Sequence, residues 1–375
     1  MTKKMKVITV IGTRPEIIRL SAIIKKLDKE VDHILVHTGQ NYDYELNQVF
    51  FEDLGLRKPD YFLECETSSL GAQIGSIIAK SEKIFLKENP DALLILGDTN
   101  SALSIIIAKR LKIPIFHMEG GNRCFNENVP EEINRRIIDH TADFNLAYTE
   151  HAKTNLLREG LHPSRVFITG SPLAEVFKDN MSKIDKSKVL ETMKLTPGKY
   201  IVASAHREEN IDDERRFKLL FESFNAIAEE FKMPIVLSTH PRTRKKLEQA
   251  KITLDKRINV HKPFGLFDYV KLQKNSFVVV SDSGTISEES AMLNFPAIMT
   301  RTNSERPEAM DCGTMILTGV EKENIINAIR AVTKNRKSSQ EIPEAYTNTD
   351  CSDRVLKLIL GLARLVDRRR NIVEY

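Results

Sequence analysis

At 375 residues the chain is long enough for two domains of ordinary size, each with its own core. Hydrophobic residues make up 41% and charged residues 29%, a globular mix, and no apolar run approaches the roughly 20 residues that span a bilayer, so no membrane insertion is expected. The formal charge of +4 comes from 56 basic and 52 acidic residues that are interspersed, which gives no reason to expect nucleic acid as a partner.

The first residues pass directly into a strand-like run and a Gly-Thr-Arg-Pro turn, with no small-residue cleavage site behind an apolar core, so no export signal is read. Cys65, Cys124, Cys312 and Cys351 are scattered without CxxC spacing. That points away from a zinc site or a disulfide framework and toward a reducing, cytoplasmic compartment.

Apolar, β-branched runs at 6–11, 33–38, 92–96, 114–118, 144–147 and 166–169 predict strands, and helical patterns lie between most of them. This alternation implies a parallel sheet covered on both faces, with ligands at the carboxyl ends of its strands. From 179 to 199 the chain turns polar and Lys-rich, which marks a domain boundary. Strands are then predicted at 200–203, 235–237, 258–260, 277–280 and 297–299, with helices at 212–230 and 322–334, so a second Rossmann-like domain follows. After a polar stretch at 334–350, a last amphipathic helix runs from about 352 to 366. The expected divisions are 1–178, 179–350 and 351–375.

Several strand ends carry chemistry. Gly12-Thr13-Arg14-Pro15-Glu16 follows a strand and opens a helix, so its amides suit an anion and Arg14 adds a charged fork; the plain alternative is a simple helix start. Asp282-Ser283-Gly284-Thr285 is a second such junction, in which Ser283, Gly284 and Thr285 are phosphate-binding candidates, although Thr285 and Glu288 also have capping-box spacing. Acid–base candidates gather in the first half: Asp98 and Glu119 at strand ends, and Glu131 after Pro130. Asp98 can also be read as a helix cap and Glu131 as a first-turn carboxylate, whereas Glu119 fits neither role well. In the second half, His206-Arg207 and His240-Pro241-Arg242 place two His–Arg pairs at strand ends, a charge pattern complementary to a diphosphate. Arg306 in the Ser304 to Glu308 turn reads as structural. Neither G-x-G-x-x-G nor a P-loop occurs, so nicotinamide chemistry and ATP hydrolysis are not expected, and nucleotide-sugar enzymes remain a leading class.

At these residues the chain resembles the non-hydrolysing UDP-N-acetylglucosamine 2-epimerase family essentially from end to end. The carriers are Gly12-Thr13-Arg14-Pro15-Glu16, Gly97-Asp98-Thr99, His117-Met118-Glu119, Pro130-Glu131-Glu132-Ile133-Asn134-Arg135, His206-Arg207-Glu208-Glu209-Asn210, Asp282-Ser283-Gly284 and Glu305-Arg306-Pro307-Glu308. The resemblance implies a GT-B architecture, two Rossmann-like domains with parallel sheets facing a central cleft, usually as a homodimer, with the last helix returning to the first domain. It implies that Asp98, Glu119 and Glu131 are catalytic carboxylates and that His206 stabilises the departing diphosphate or acts beside it. Arg14, His240, Ser283, Gly284 and Thr285 are then diphosphate contacts, and Glu289 holds the ribose hydroxyls.

The 121–129 loop, the 37–44 segment and the 263–269 segment look like those of the capsule and O-antigen branch, which makes UDP-N-acetyl-L-fucosamine from UDP-2-acetamido-2,6-dideoxy-L-talose. Gly120 stands where an alanine is expected, and the 40–44 stretch departs from the parent enzymes at their substrate-activated allosteric site. The hydrogen on carbon 2 of an acetamido sugar has no adjacent carbonyl carbon, so direct abstraction leaves a poorly stabilised carbanion. Elimination of UDP to a glycal and its re-addition needs only a base and a well-held leaving group, and no cofactor. Interconversion of UDP-N-acetylglucosamine and UDP-N-acetylmannosamine is the alternative reaction, and a GT-B glycosyltransferase is the alternative of another class.

Overall fold

The central strands form where apolar residues run almost without interruption, because a parallel sheet covered on both faces buries nearly every position of such a strand. In a computed structural model of the chain, which describes residues 4–39, 44–334 and 342–369, two compact units result. One is built from the chain up to Asp179 and from Thr347 onward, the other from Asn180–Tyr346. The sequence departures expected at 40–43, and the 335–341 part of the polar stretch, lie outside the described residues.

The first unit contains β1 (Lys6–Ile11), β2 (Asp32–His37), β3 (Tyr61–Phe62), β4 (Ala92–Leu96), β5 (Ile115–Met118), β6 (Phe144–Ala147) and β7 (Val166–Ile168). They pair in the order β3-β2-β1-β4-β5-β6-β7, all parallel. The second unit repeats the plan with β8 (Ile201–Ala205), β9 (Ile235–Thr239), β10 (Ile258–His261), β11 (Val278–Ser281), β12 (Ala297–Met299) and β13 (Met315–Leu317). Its order is β10-β9-β8-β11-β12-β13, again all parallel. These are two Rossmann-like units of the GT-B class. Two strands, β3 and β13, were not anticipated: β3 is two residues long, too short to establish a pattern, while β13 is no shorter than β7 and β12, which were expected.

Each sheet reverses its strand order once, at β1/β4 and at β8/β11. Connections leave such a point in opposite directions and open space above the strand ends, the usual place for a ligand in this architecture. The last helix, Cys351–Arg369, buries Cys351, Val355, Leu356, Ile359, Ala363 and Val366 and packs against the helix Arg14–Glu30. Its start is fixed by Glu175, which accepts from the Ser352 amide at 2.8 Å and its hydroxyl at 2.5 Å, and by an ion pair between Lys26 and Asp353 at 2.9 Å.

Candidate active site

In the first unit Arg14, Asp98 and Glu119 sit on the turns after β1, β4 and β5, and Glu131 in the first turn of the helix Pro130–Thr141. The turn after β1 is organised by its own helix. Glu16 folds back, and its Oε2 accepts from the amides of Gly12 and Thr13 at 3.0 and 2.6 Å and from the Thr13 hydroxyl at 2.8 Å. The amides expected to meet an external anion are therefore taken by a carboxylate of the chain, which corrects that part of the sequence reading. Arg14 remains exposed, its guanidinium 5.6 Å from the centre of the Phe50 ring. Glu16 Oε1 also accepts from the Thr99 hydroxyl at 3.0 Å, joining this turn to the residue after Asp98. Burial pushes the Glu16 carboxyl up to about 7, against the four donors that favour its charged form.

Asp98 does not cap a long regular helix, because a 3-10 turn, Asn100–Ser104, intervenes before Ile105–Arg110. Its carboxylate accepts from Arg135 Nε at 2.7 Å, and its carbonyl from Asn134 Nδ2 at 2.9 Å. Both donors come from the helix Pro130–Thr141, whose first turn carries the half-buried Glu131.

Glu119 follows β5 with φ at +69°, a conformation that a bulky residue holds only under strain. Asn122 Nδ2 donates to it at 3.2 Å and the Tyr148 hydroxyl at 3.4 Å, while Arg19 lies 3.9 Å away. Beneath it, His117 is wedged between the Gly97 carbonyl at Nε2, 2.9 Å, and Asp139 at Nδ1, 2.9 Å. Although burial alone would lower it, this setting raises the His117 imidazole and holds Asp139 below the usual carboxylate range. Gly120 has a physical reason: a Cβ there would stand 2.8 Å from Asn145 Oδ1 and 3.0 Å from Asp139 Oδ1.

In the second unit, His206 follows β8 and Asp282 follows β11. Asp282 is fully buried, accepts from the amides of His206 and Arg207 at 3.0 Å each, and pairs with His206 Nδ1 at 3.0 Å. Against the burial that would raise it, His206 and those amides hold the Asp282 carboxyl below its ordinary range. The pairing fixes the imidazole by one nitrogen, with 45% of the side chain exposed.

Ser283, Gly284 and Thr285 form the turn into the helix Ile286–Leu293. No side-chain cap forms at Thr285, whose hydroxyl instead meets that of Ser283 at 3.0 Å, so the capping-box alternative is not realised. A Cβ at Gly284 would collide with Glu305 Oε1 and lie 2.6 Å from Arg306 Nη1. Arg306 is itself engaged by Glu305 at 2.9 Å and Glu288 at 3.1 Å, a structural role. Glu289 accepts from Gln273 Nε2 at 2.7 Å.

His240 caps the helix Pro241–Gln249, its Nδ1 accepting from the Arg242 amide at 3.3 Å, and Arg242 forks onto Asp212 at 2.7 Å. The two His–Arg pairs thus differ: one is oriented by a buried aspartate, the other closes a helix end. A cavity of about 690 Å³ in this unit, lined by His261, Phe264 and Asp268 among others, includes none of the candidates. Residues that the sequence reading did not select, Asp282, Arg135 and Asn134, touch those it did. The signal available was the i, i+3, i+4 spacing of Glu131, Asn134 and Arg135 on one helical face.

The sequence model of the UDP-N-acetylglucosamine 2-epimerase family matches residues 25–360. The chain is similar to the solved UDP-N-acetylglucosamine 2-epimerase from Rickettsia bellii, at 46% identity and a TM-score of 0.91 over 97% of this chain and 98% of that one. It is also similar to Methanocaldococcus jannaschii UDP-GlcNAc 2-epimerase, solved in complex with UDP-GlcNAc and UDP, at 35% identity and a TM-score of 0.89 over 95% and 99% of the two chains. The UDP-2,3-diacetamido-2,3-dideoxy-D-glucuronate 2-epimerase of Pseudomonas aeruginosa is 32% identical over 96% of this chain and 100% of its own.

Proposed function

The chain belongs to the UDP-N-acetylglucosamine 2-epimerase family, and from that premise we propose that it inverts carbon 2 of a UDP-2-acetamido-2,6-dideoxy-L-hexose, between the L-talose and L-fucosamine configurations. It is a non-hydrolysing UDP-sugar 2-epimerase.

Inversion removes a proton from one face of carbon 2 and returns one to the other, so two acid–base groups, or one and a water, are required. Asp98, Glu119 and Glu131 supply them. Breaking the bond at carbon 1 leaves negative charge on the diphosphate, which fixed donors and cations stabilise without reorganising. His206, aimed by Asp282, serves there together with Arg14, His240 and the Ser283-Gly284-Thr285 turn, and Glu289 binds the ribose. UDP leaves to give a glycal and then re-adds. The product is a precursor of a capsule or O-antigen polysaccharide, and a homodimer belongs to the same reading.

The observation that carries the catalytic part is Glu119, strained at φ +69° among polar partners. The L-sugar is supported by the resemblance of the 121–129, 37–44 and 263–269 segments to those of the capsule and O-antigen branch. A second reading, the interconversion of UDP-N-acetylglucosamine and UDP-N-acetylmannosamine, is favoured by the name of the Rickettsia bellii relative. Incubation in deuterated water with each UDP-sugar, followed by NMR of carbon 2, separates them. Deuterium in epimerised L-sugar with none in UDP-N-acetylglucosamine supports the first reading; the reverse supports the second. No exchange with any UDP-sugar removes the elimination route.

A further inference from the structure

We propose that Arg135 is a positioning residue for this reaction, aiming the Asp98 carboxylate while Glu132 fixes Arg135 to the loop at Cys124 and Phe125. The inference rests on the assignment of Asp98 to the chemistry.

The helix Pro130–Thr141 holds the loop after β4 from two directions. Asn134 Nδ2 donates to the Asp98 carbonyl at 2.9 Å and to Asn100 Oδ1 at 3.1 Å, so it fixes the backbone. Arg135 Nε donates to Asp98 Oδ2 at 2.7 Å, so it fixes the carboxylate. The Arg135 side chain is only 4% exposed while that of Asp98 is 24% exposed, so a buried cation holds a group that still reaches solvent.

Arg135 is held in its turn. Its Nη1 meets Glu132 Oε2 at 3.0 Å, and the same buried carboxylate accepts from the Cys124 amide at 3.0 Å and the Phe125 amide at 3.3 Å. Despite its burial, the Cys124 amide and thiol together with Arg135 keep the Glu132 carboxyl below its ordinary range. Glu132 therefore remains an anion that anchors both the loop and the guanidinium. A planar guanidinium grips two carboxylates at fixed angles, which an ammonium on a flexible stem does not reproduce. Without it the Asp98 carboxylate loses its direction, and misplacement of a reacting group by about 1 Å costs on the order of a hundredfold in rate.

The test measures epimerisation and carbon 2 deuterium exchange for Arg135→Lys, Asp98→Asn and the double variant. Arg135→Lys keeps a cation beside Glu132 and is expected to lower kcat roughly 10- to 100-fold with KM within about threefold, because an interaction realised in the transition state is lost. In the Asp98→Asn background the same change is expected to add less than about threefold, since the two residues act as one unit. Guanidinium ion added to Arg135→Ala is expected to restore part of the turnover, an effect that repair of a merely structural defect by a mild denaturant would not give. Wild-type kcat in Arg135→Lys, or an equal loss in both backgrounds, overturns the inference. Full activity in Asp98→Asn instead overturns the assignment of Asp98, a separable result. If Arg135→Lys folds poorly by its thermal midpoint, Glu132→Gln reads the same relay: a selective fall in kcat supports it, and an unchanged kcat overturns it.

Discussion

Glu119 occupies the backbone conformation that glycine adopts freely, with φ at +69°. A residue held there costs of order 1–3 kcal/mol, and such strain persists where the surroundings over-determine it. Around Glu119 those surroundings are Asn122, Tyr148, Arg19 and the His117–Asp139 pair one layer down. Glu119→Gly is therefore expected to raise unfolding stability by about 1 kcal/mol while lowering turnover by on the order of a hundredfold or more. Urea melts and initial rates on one preparation check both signs; a variant that loses activity and stability together contradicts the strain argument. Glu16 gives a pH dependence. Its carboxyl rises from 4.5 to about 7 on folding, so between those values the native chain keeps a proton that the unfolded chain has released. No penalty exists below the lower value and the whole penalty, on the order of 3 kcal/mol, is present above the upper one. Stability from this group thus falls as pH rises through that window. Urea midpoints at about pH 5 and about pH 8 are expected to fall further in the wild type than in Glu16→Gln, which has no charge to bury; parallel slopes would dismiss the effect.

At the scale of turns and helices, the Ser283-Gly284-Thr285 junction is bounded by the Glu305–Arg306 pair, which leaves no space for a side chain at 284. Gly284→Ala must displace that buried pair or the turn itself, so UDP affinity is expected to fall at least about tenfold, with a loss of stability of about 1–3 kcal/mol from overpacking. Isothermal titration with UDP checks it, and unchanged affinity would show that the turn takes no part in binding. The strands around these turns were legible because buried parallel strands announce themselves as apolar runs; β3, two residues long, was too short to show one, and β13 was missed although β7 and β12 are equally short. The turns were legible as Gly- and carboxylate-bearing strand ends. What escaped were the partners. That Glu16 claims the Gly12 and Thr13 amides depends on a side chain folding back along its own helix, and that Arg135 meets Asp98 depends on a contact between residues 37 positions apart. Gly120 illustrates the same limit: its lack of a side chain becomes intelligible only when Asn145 on β6 is found against it.

Over the whole chain, the two units differ in how they are assembled. The second is one continuous segment, Asn180–Tyr346, whereas the first is closed by a segment that returns after Tyr346. The returning helix is amphipathic, and Cys351, Val355, Leu356, Ile359 and Val366 are buried along it. At roughly 1.5–3 kcal/mol for each fully buried large side chain, this face contributes on the order of 10 kcal/mol before the entropy of ordering the helix is set against it. A domain's net stability is about 5–15 kcal/mol, so the contribution is comparable to all that the first unit has. The polar ties at Glu175 and Lys26 add specificity rather than much energy, because Lys26–Asp353 is solvent-exposed and such pairs are worth about 0–1 kcal/mol. A chain ending at Tyr346 is therefore expected to lose the cooperative unfolding of the first unit while retaining that of the second, and Glu175→Ala is expected to lower only the first transition. Scanning calorimetry with amide hydrogen exchange resolves the two: protection lost across β1, β4 and β5 but kept across β8 and β11 is the expected pattern. Full protection of β1 in the truncated chain would mean that the first unit closes without its last helix.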